Sequence, residues 1–447
     1  ELIKTGDKFK DFVKKVAPSA GAIVGKKVDG DAVSSFISTP NLNELKKRIE
    51  GELEAAKKRV LILIDDVDRL EKTEIHALFR LVKLTADFKY TSYILAFDKD
   101  VVAASLQERY SSSVENAGEA FLEKIIQVPL HLPAIEKRIL REFCFQGINE
   151  ALSIAGIQLT RQQAQEFARN FSGAFDDCLT TPRKAKLYGN ILMFSLPILK
   201  GEVNPVDLMF VEGIRVFCPS LYELLRKNKS LFAGTFQSRH YSNNDGEKEH
   251  IRTLVADALD SGRDINKEGF ISLLKSIFPK LQAVYGNTHH GSDWEETWNK
   301  AQRVCSENYY SRYFTYAIPS GDISDKAIEN LINKSEKWKE SLDSSKNPLN
   351  HVLTRRSAET IIKKLRQKTV RMKPVASFSL AIAVSQKSDF IPNPDTAYNW
   401  LTPFSQAAIL VSELIQNCEK RLRIELAKMC IKVAPSLEFK IKLFHWL

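Results

Sequence analysis

The stretch VLILIDDVDRL, from Val60 to Leu70, decides the fold because it joins an apolar run directly to a cluster of acids. A short β-branched and leucine run behind Arg59 is typical of a strand buried on both faces of a parallel sheet. In open α/β sheets, ligands bind at the carboxyl ends of such strands. Two adjacent acids at that edge suit nucleotide hydrolysis, with Asp65 holding Mg²⁺ and Asp66 polarising the attacking water.

The alternative interpretation is that the acids only end the strand at a solvated turn, since an apolar run followed by an acid arises often by chance. A second acid and the following pair, Asp68 and Arg69, favour the nucleotide site over that alternative.

The sequence around this motif predicts a strand, a crossover helix and a second strand. Apolar residues at helical spacing run from Leu42 to Lys58 and again from Lys72 to Ala86, and a second apolar run covers Tyr93 to Phe97. This order implies a right-handed unit in a parallel sheet. A third short apolar segment, Ile125 to Leu132, ends at Pro133, and almost everything beyond it has a helical pattern.

Composition limits the class of protein. The 447 residues predict about three domains. The excess of 65 Lys and Arg over 55 Asp and Glu gives a net charge of +10, which suggests affinity for a polyanion. Six widely separated cysteines predict neither a disulfide framework nor a zinc ribbon, and favour a reducing, cytoplasmic setting. No apolar run reaches the ~20 residues that cross a bilayer.

Several segments together resemble one protein family. They are IDDVDRL, EIHALFRLVKLTADFKYTSYILAFDKDVV, GEAFLEKIIQVPLHLP and LTTPRKAKLYGN, and they stand here in the order found in the KAP family of P-loop NTPases. The resemblance covers roughly residues 43 to 228. It implies an ASCE-type α/β P-loop core with a parallel sheet, followed by a mainly α-helical lid and C-terminal region. A weaker resemblance to bacterial members continues at NYYSRYFTYAIPSGDISD, Asn308 to Asp325.

The resemblance and the polar break at Ser238 to Glu249 predict the domain boundaries. Residues 1–42 are a lead-in without a sustained pattern, and residues 43–133 are the Walker B half of the α/β core. Residues 134–237 are the helical lid, and residues 250–447 are a helical C-terminal region.

The resemblance implies roles for three acids. Asp65 would be the Walker B aspartate that binds Mg²⁺, and Asp66 would be the water-polarising acid. Asp98, at the end of the second strand, stands where a sensor would read the γ-phosphate of ATP. Asp98 could instead be a turn residue, or the N-cap of a helix that begins near Val101.

The resemblance also implies roles for four further residues. Asp68 and Arg69 complete the family signature, either by contacting nucleotide or by stabilising the turn after the strand. Arg183, in the lid segment, is a candidate phosphate contact, with a solvated helix start as the alternative. Lys124 stands where a neighbouring subunit could supply a cation in trans, and a surface lysine beside an edge strand is the favoured alternative.

The family pattern is broken at the phosphate-binding loop. A P-loop needs GxxxxGK[ST], and no such sequence occurs here. The nearest segment, Gly21 to Lys27, has three residues between its glycines and ends in lysine, so we reject it. Either the loop lies upstream of this chain, together with an insertion that carries membrane helices in some members, or the ATPase has degenerated.

One segment carries much of the basic excess. Arg355 to Lys373 has eight basic residues and one acid, Glu359, and predicts a helix whose basic outer face could contact nucleic acid. A merely solvated helix face is the alternative. The basic residues are Arg355, Arg356, Lys363, Lys364, Arg366, Lys368, Arg371 and Lys373.

A second cluster is aromatic, with two arginines beside it, and core packing is its default interpretation over ligand stacking. Its members are Tyr309, Tyr310, Tyr313, Phe314 and Tyr316, and the arginines are Arg303 and Arg312.

The sequence therefore predicts a KAP-type ATPase that uses ATP and Mg²⁺ as a switch or sensor in anti-phage defence, acting as a homo-oligomer or with other subunits. The alternative is a non-catalytic assembly or nucleic-acid scaffold with a vestigial NTPase fold.

Overall fold

The computed structural model describes residues 42–85, 88–107, 116–235, 244–262, 264–286, 288, 291, 293–338, 343–394 and 402–447. The chain divides into two compact units, with the boundary between Pro133 and Ala134. The predicted lead-in lies outside the described residues except for Leu42. No helix among the described residues is long and apolar enough to cross a membrane.

The described residues of the first unit form a two-stranded parallel sheet and four α-helices. Its elements are α1 (Leu42–Ala55), β1 (Val60–Ile64), α2 (Lys72–Thr85), β2 (Thr91–Leu95), α3 (Lys99–Gln107) and α4 (Ala117–Ile125). The predicted helix before the motif and the strand–helix–strand order are confirmed, although β2 begins two residues earlier than predicted. Val60 pairs with Thr91 and Ile64 with Leu95, so the two strands end at the same edge.

The core of the first unit lies on one face of this sheet, where Ile64 and Leu95 pack against residues of the helices. On the other face Leu61 is 57% exposed and Leu63 is 69% exposed. The prediction that the strand is buried on both faces is therefore wrong for the described part of the chain. The apolar run was correctly predicted to be a strand, but the described helices pack against only one side of it.

The third apolar segment, Ile125 to Leu132, is not a strand. Helix α4 ends at Ile125, and residues 126–136 have no regular structure. Ile125 and Ile126 still pack against the core of the first unit. Leu130 is 86% exposed and Leu132 is 96% exposed, so the later part of the segment joins no core among the described residues. Pro129 and Pro133 have no N–H group to donate to a neighbouring strand, which works against pairing.

The regular elements among the described residues of the second unit are all helices, and they enclose two hydrophobic cores. We call residues 134–316 the first helical body and residues 322–447 the second helical body. The first body contains α5 (Lys137–Ala155), α6 (Arg161–Phe175), α7 (Pro182–Leu199), α8 (Pro205–Phe217), α9 (Pro219–Lys227), α10 (Lys229–Phe232), α11 (Asn244–Asp260), α12 (Lys267–Ile277), α13 (Lys280–Tyr285), α14 (Asp293–Lys300) and α15 (Arg312–Thr315). The second body contains α16 (Asp325–Trp338), α17 (Ala358–Lys368), α18 (Pro374–Gln386), α19 (Pro403–Gln416), α20 (Arg423–Val433) and α21 (Leu437–Trp446).

The first body's core is continuous from Leu140 to Tyr313, and the second body's core runs from Ile328 to Leu443. The first core therefore crosses the polar break that served as a predicted domain boundary. Within that break, α11 already begins at Asn244. The first core ends instead at Tyr313 and the second begins at Ile328. Aromatic side chains that follow the polar break in the sequence complete the first core.

A tight helix crossing in the first body depends on a glycine. A Cβ atom placed on Gly269 in α12 would lie 1.8 Å from the backbone oxygen of Gly173 in α6, whereas a Cβ on Gly173 would meet nothing within 4 Å. The two helices can approach this closely only because Gly269 has no side chain.

We expect Gly269→Ala to destabilise the second unit by about 1–3 kcal/mol, since the methyl group must push a backbone carbonyl away. Gly173→Ala is the matched control at the same crossing, and we expect it to be neutral or to stabilise α6 by up to ~1 kcal/mol. All five tryptophans belong to the second unit, so urea unfolding followed by tryptophan fluorescence measures both effects. Equal urea midpoints of unfolding for Gly269→Ala and the unmodified protein would contradict the close approach of α6 and α12 at this glycine.

Candidate functional site

The acids of the opening motif lie at the carboxyl edge of the two-stranded sheet. Asp65 follows the last residue of β1, and the N–H of Ala96, which follows β2, donates to the carbonyl of Ile64 over 2.9 Å. Asp98 comes two residues after Ala96. The parallel register therefore brings the ends carrying Asp65, Asp66 and Asp98 to one edge, as ligand binding at such an edge requires.

The turn after β1 is held by its own side chains. The carboxylate Oδ1 of Asp65 accepts a hydrogen bond from the backbone N–H of Asp66 over 2.8 Å. Asp66 has a φ of 58°, in the left-handed region that aspartate tolerates better than most residues. Val67, which is fully buried, then anchors a short 3₁₀ helix, Val67–Arg69. The buried valine keeps the turn in place while both acids remain exposed at the edge.

Arg69 pairs with Asp66 rather than with its neighbour Asp68. Its Nη2 lies 3.1 Å from Oδ1 of Asp66, and its backbone N–H donates to the Asp66 carbonyl over 3.0 Å. Arg69 therefore stabilises the turn through Asp66 and not through Asp68, and contact of Asp68 or Arg69 with nucleotide stays a prediction. The side chains of Asp66 and Arg69 are both more than half exposed, and such pairs contribute at most about 1 kcal/mol. A ligand could therefore replace this pairing at little cost.

Asp98 caps helix α3. Its Oδ1 accepts hydrogen bonds from the backbone N–H groups of Asp100 over 3.0 Å and Val101 over 3.3 Å. The N-cap alternative is confirmed, with the helix beginning at Lys99 rather than near Val101. Lys99 in turn pairs with Glu119 of α4 over 3.1 Å. The sensor role of Asp98 stays a prediction.

We expect Asp98→Ala to destabilise the start of α3 by about 0.5–2 kcal/mol, because two backbone N–H groups lose their acceptor. Asp98→Asn should keep most of that stability, since asparagine is an equally good N-cap. Hydrogen exchange of peptides that cover residues 99–107 measures the difference. Equal protection in the alanine variant and the unmodified protein would show that the cap carries no stability.

The two candidate cations lie on different units. Lys124 is exposed in the last turn of α4, so it borders a helix end and not an edge strand. Arg183 is exposed in the first turn of α7, directly after Pro182, where Thr181 caps the helix by accepting from the Lys184 N–H over 3.3 Å. The predicted helix start at Arg183 is confirmed, and the phosphate-contacting roles of both cations stay predictions.

The chemistry of the edge fits Mg²⁺ held mainly by its substrate. The described residues contain no group of three His, Cys, Asp or Glu side chains that could hold a metal by themselves. Protein sites for Mg²⁺ usually supply only one or two carboxylates and leave the other positions to water and substrate phosphates. Asp65, whose carboxylate is exposed at the strand end, matches that requirement, and Asp66 is the adjacent acid.

The basic segment from Arg355 to Lys373 does not expose all of its basic side chains as predicted. Lys364 is only 6% exposed, and its Nζ lies 3.0 Å from Oδ1 of Asp322 and 3.1 Å from Oδ2 of Asp325. The prediction of an exposed, phosphate-contacting side chain is therefore wrong for Lys364. Its charge instead compensates two carboxylates inside the second unit.

Three further cations of the basic segment are in ion pairs with neighbouring elements. The pairs are Arg366 with Glu413, Lys368 with Glu329, and Lys373 with Glu336. Arg355, Arg356 and Arg371 are exposed and have no ion pair within the described ranges. The basic face is thus narrower than its composition suggests, and nucleic-acid contact stays a prediction.

The aromatic cluster is core, as its default interpretation had it, because Tyr309, Tyr310 and Tyr313 are all buried. The sequence did not predict that Arg312 beside it would be fully buried as well. A signal was present in the same segment, where Asp322 and Asp325 supply acids soon after a lone arginine among aromatic residues.

Comparisons with known proteins found one family and one curated relative that are similar to this chain. Residues 4–199 match the KAP family P-loop domain. The phage T7 exclusion protein of Escherichia coli (strain K12) is 24% identical over 307 residues, which make up 65% of this chain and 39% of that protein. This chain therefore spans about two fifths of that relative. No solved structure matches it.

Proposed function

Because this chain carries a KAP family P-loop domain over residues 4–199, we propose that the protein is a nucleoside triphosphatase that hydrolyses ATP with Mg²⁺. The observation that carries the proposal is the pair of exposed carboxylates, Asp65 and Asp66, at the carboxyl edge of a parallel sheet. A family match by itself would fit a degenerate enzyme equally well, but the adjacent acids keep the groups that hydrolysis needs.

Each acid at the edge has a distinct part in the proposed reaction. The hydrogen bond from the Asp66 N–H orients the Asp65 carboxylate, which would hold the metal ion. That ion would supply charge neutralisation for the phosphates. Asp66 would accept a hydrogen bond from the attacking water and orient it. Its pairing with Arg69 must then loosen, and the exposure of both side chains makes this inexpensive.

The phosphate-binding loop is the part of the proposal that the chain does not supply in standard form. No GxxxxGK[ST] sequence occurs in the 447 residues. Gly21 to Lys27 falls within the family match but outside the described residues. ATP binding by the purified protein, measured by equilibrium dialysis, therefore has to accompany any measurement of hydrolysis.

We further propose that the protein acts as a conformational switch or sensor in defence against phage, as a homo-oligomer or together with other subunits. The similarity to a phage exclusion protein supports the setting. A non-catalytic scaffold is the competing proposal.

We expect the protein to release phosphate from ATP only when Mg²⁺ is present, and Asp66→Asn to reduce the rate about 10²–10⁴-fold, the usual contribution of a positioned general base. Asp65→Asn should weaken the apparent affinity for Mg²⁺. Asp100→Asn is the matched control, because Asp100 is an exposed acid on the same unit that takes no part in the proposed site. A malachite-green assay measures phosphate.

Two results would overturn the catalytic proposal. One is ATP binding without any phosphate release by the unmodified protein, which is the behaviour of a scaffold. The other is an Asp66→Asn variant as active as Asp100→Asn, which would leave the motif without a catalytic role.

A further inference from the structure

The two helical bodies of the second unit meet at a plane that contains buried charge. Arg312 belongs to the first body, and its guanidinium is fully buried. Its Nη1 donates to Oε2 of Glu202 over 2.8 Å and to Oδ2 of Asp325 over 2.7 Å, and its Nε donates to Asp322 over 3.0 Å. Lys364 of the second body completes the set by pairing with the same two aspartates. We call these five residues the charged joint.

Glu202 also caps a helix of the other body. Its carboxylate accepts hydrogen bonds from the backbone N–H of Asp325 over 2.8 Å and of Lys326 over 3.1 Å, at the start of α16. The first N–H groups of a helix have no partner inside the helix, and the helix dipole favours an anion there. Two backbone hydrogen bonds of the second body therefore depend on a side chain of the first.

Open space flanks the charged joint. A cavity of about 420 Å³ and another of about 910 Å³ are each lined by residues of both bodies, and they share Asn299, Lys300 and Gln367. The two hydrophobic cores do not merge across this plane. Contact between the bodies consequently relies on ion pairs and hydrogen bonds more than on apolar packing.

Such a plane is weaker than the bodies on either side of it. Buried ion pairs repay little more than the cost of removing their charges from water, whereas the cores gain free energy from all their buried apolar surface. Interfaces of polar character within a chain commonly allow the parts they join to move. The charged joint is thus the place where the second unit can open at least cost.

We propose that the charged joint is a hinge at which the two helical bodies separate and close again while each keeps its own core. This inference does not rest on the proposed ATP hydrolysis, because every group in the joint belongs to the second unit. Opening brings the otherwise buried amine of Lys364 into contact with solvent, and it frees the amides of Asp325 and Lys326 from Glu202.

Labelling of lysine amines tests the hinge directly. The native protein is treated with an acetylating reagent, and the modification of each lysine is followed by mass spectrometry. Lys364 should be acetylated more slowly than exposed lysines such as Lys334 but at least about tenfold faster than global unfolding allows, as expected for a sub-global opening. Acetylation of Lys364 only at the rate of global unfolding would overturn the proposal.

A variant in the other body separates opening from a local effect. Glu202 makes no direct bond to Lys364 among the described contacts, so Glu202→Gln should speed acetylation of Lys364, by about tenfold, only if the joint opens as a whole. Glu329→Gln is the control, since Glu329 pairs with Lys368 outside the joint. Equal rates in the two variants would contradict a shared hinge.

Hydrogen exchange gives a second readout that needs no variant. Peptides covering residues 323–330 should exchange faster than peptides from α7 and α19, with a weaker dependence on urea, because opening exposes less surface than unfolding. Fraying of α16 alone would speed this exchange but leave Lys364 protected from acetylation, and that combination would also overturn the hinge.

Discussion

The guanidinium of Arg312 is the group on which the arrangement of the second unit depends. A buried cation costs several kcal/mol unless its surroundings compensate it. Here Glu202, Asp322 and Asp325 provide that compensation, together with the backbone carbonyls of Glu202 and Ile323. Since the five N–H groups of arginine point in fixed directions, satisfying them determines where the loop before α16 lies. The position of the whole second helical body relative to the first follows from it.

The same kinds of residue serve a different purpose at the sheet edge. Asp66 and Arg69 form an ion pair in which both side chains are exposed, so water screens it and other ligands can compete. Lys364 with Asp322 and Asp325 is largely out of contact with water. Within Asp322, burial by itself would raise the carboxyl pKa, but the hydrogen bonds and charges of Arg312 and Lys364 outweigh it and lower the pKa. The exposed Asp66 can exchange its partner for a ligand, whereas the largely buried Asp322 and Asp325 keep their partners and hold the fold together.

Much of the first unit follows from short-range sequence. The run before Asp65 forms a strand, the periodic segment from Lys72 forms a helix, and the acids come off the edge where parallel pairing places them. Asp98 capping α3 could also be foreseen, because an N-cap acts only on the next few residues. Burial could not be foreseen in the same way. The exposed face at Leu61 and Leu63, and the unpaired segment before Pro133, depend on which other elements pack against them.

The sequence by itself determined the local elements of this protein, the acid pair at the end of β1 and the match of residues 4–199 to the KAP family P-loop domain. These rest on hydrogen bonds and side-chain periodicity within a few residues of each other. Only the tertiary structure decided which charges serve the interior. Lys364 and Asp325 lie 39 residues apart, and Arg312 and Glu202 lie 110 apart. A basic helix presents the same sequence pattern whether its lysine faces water or a buried carboxylate, because the partner that draws it inward is brought by the fold.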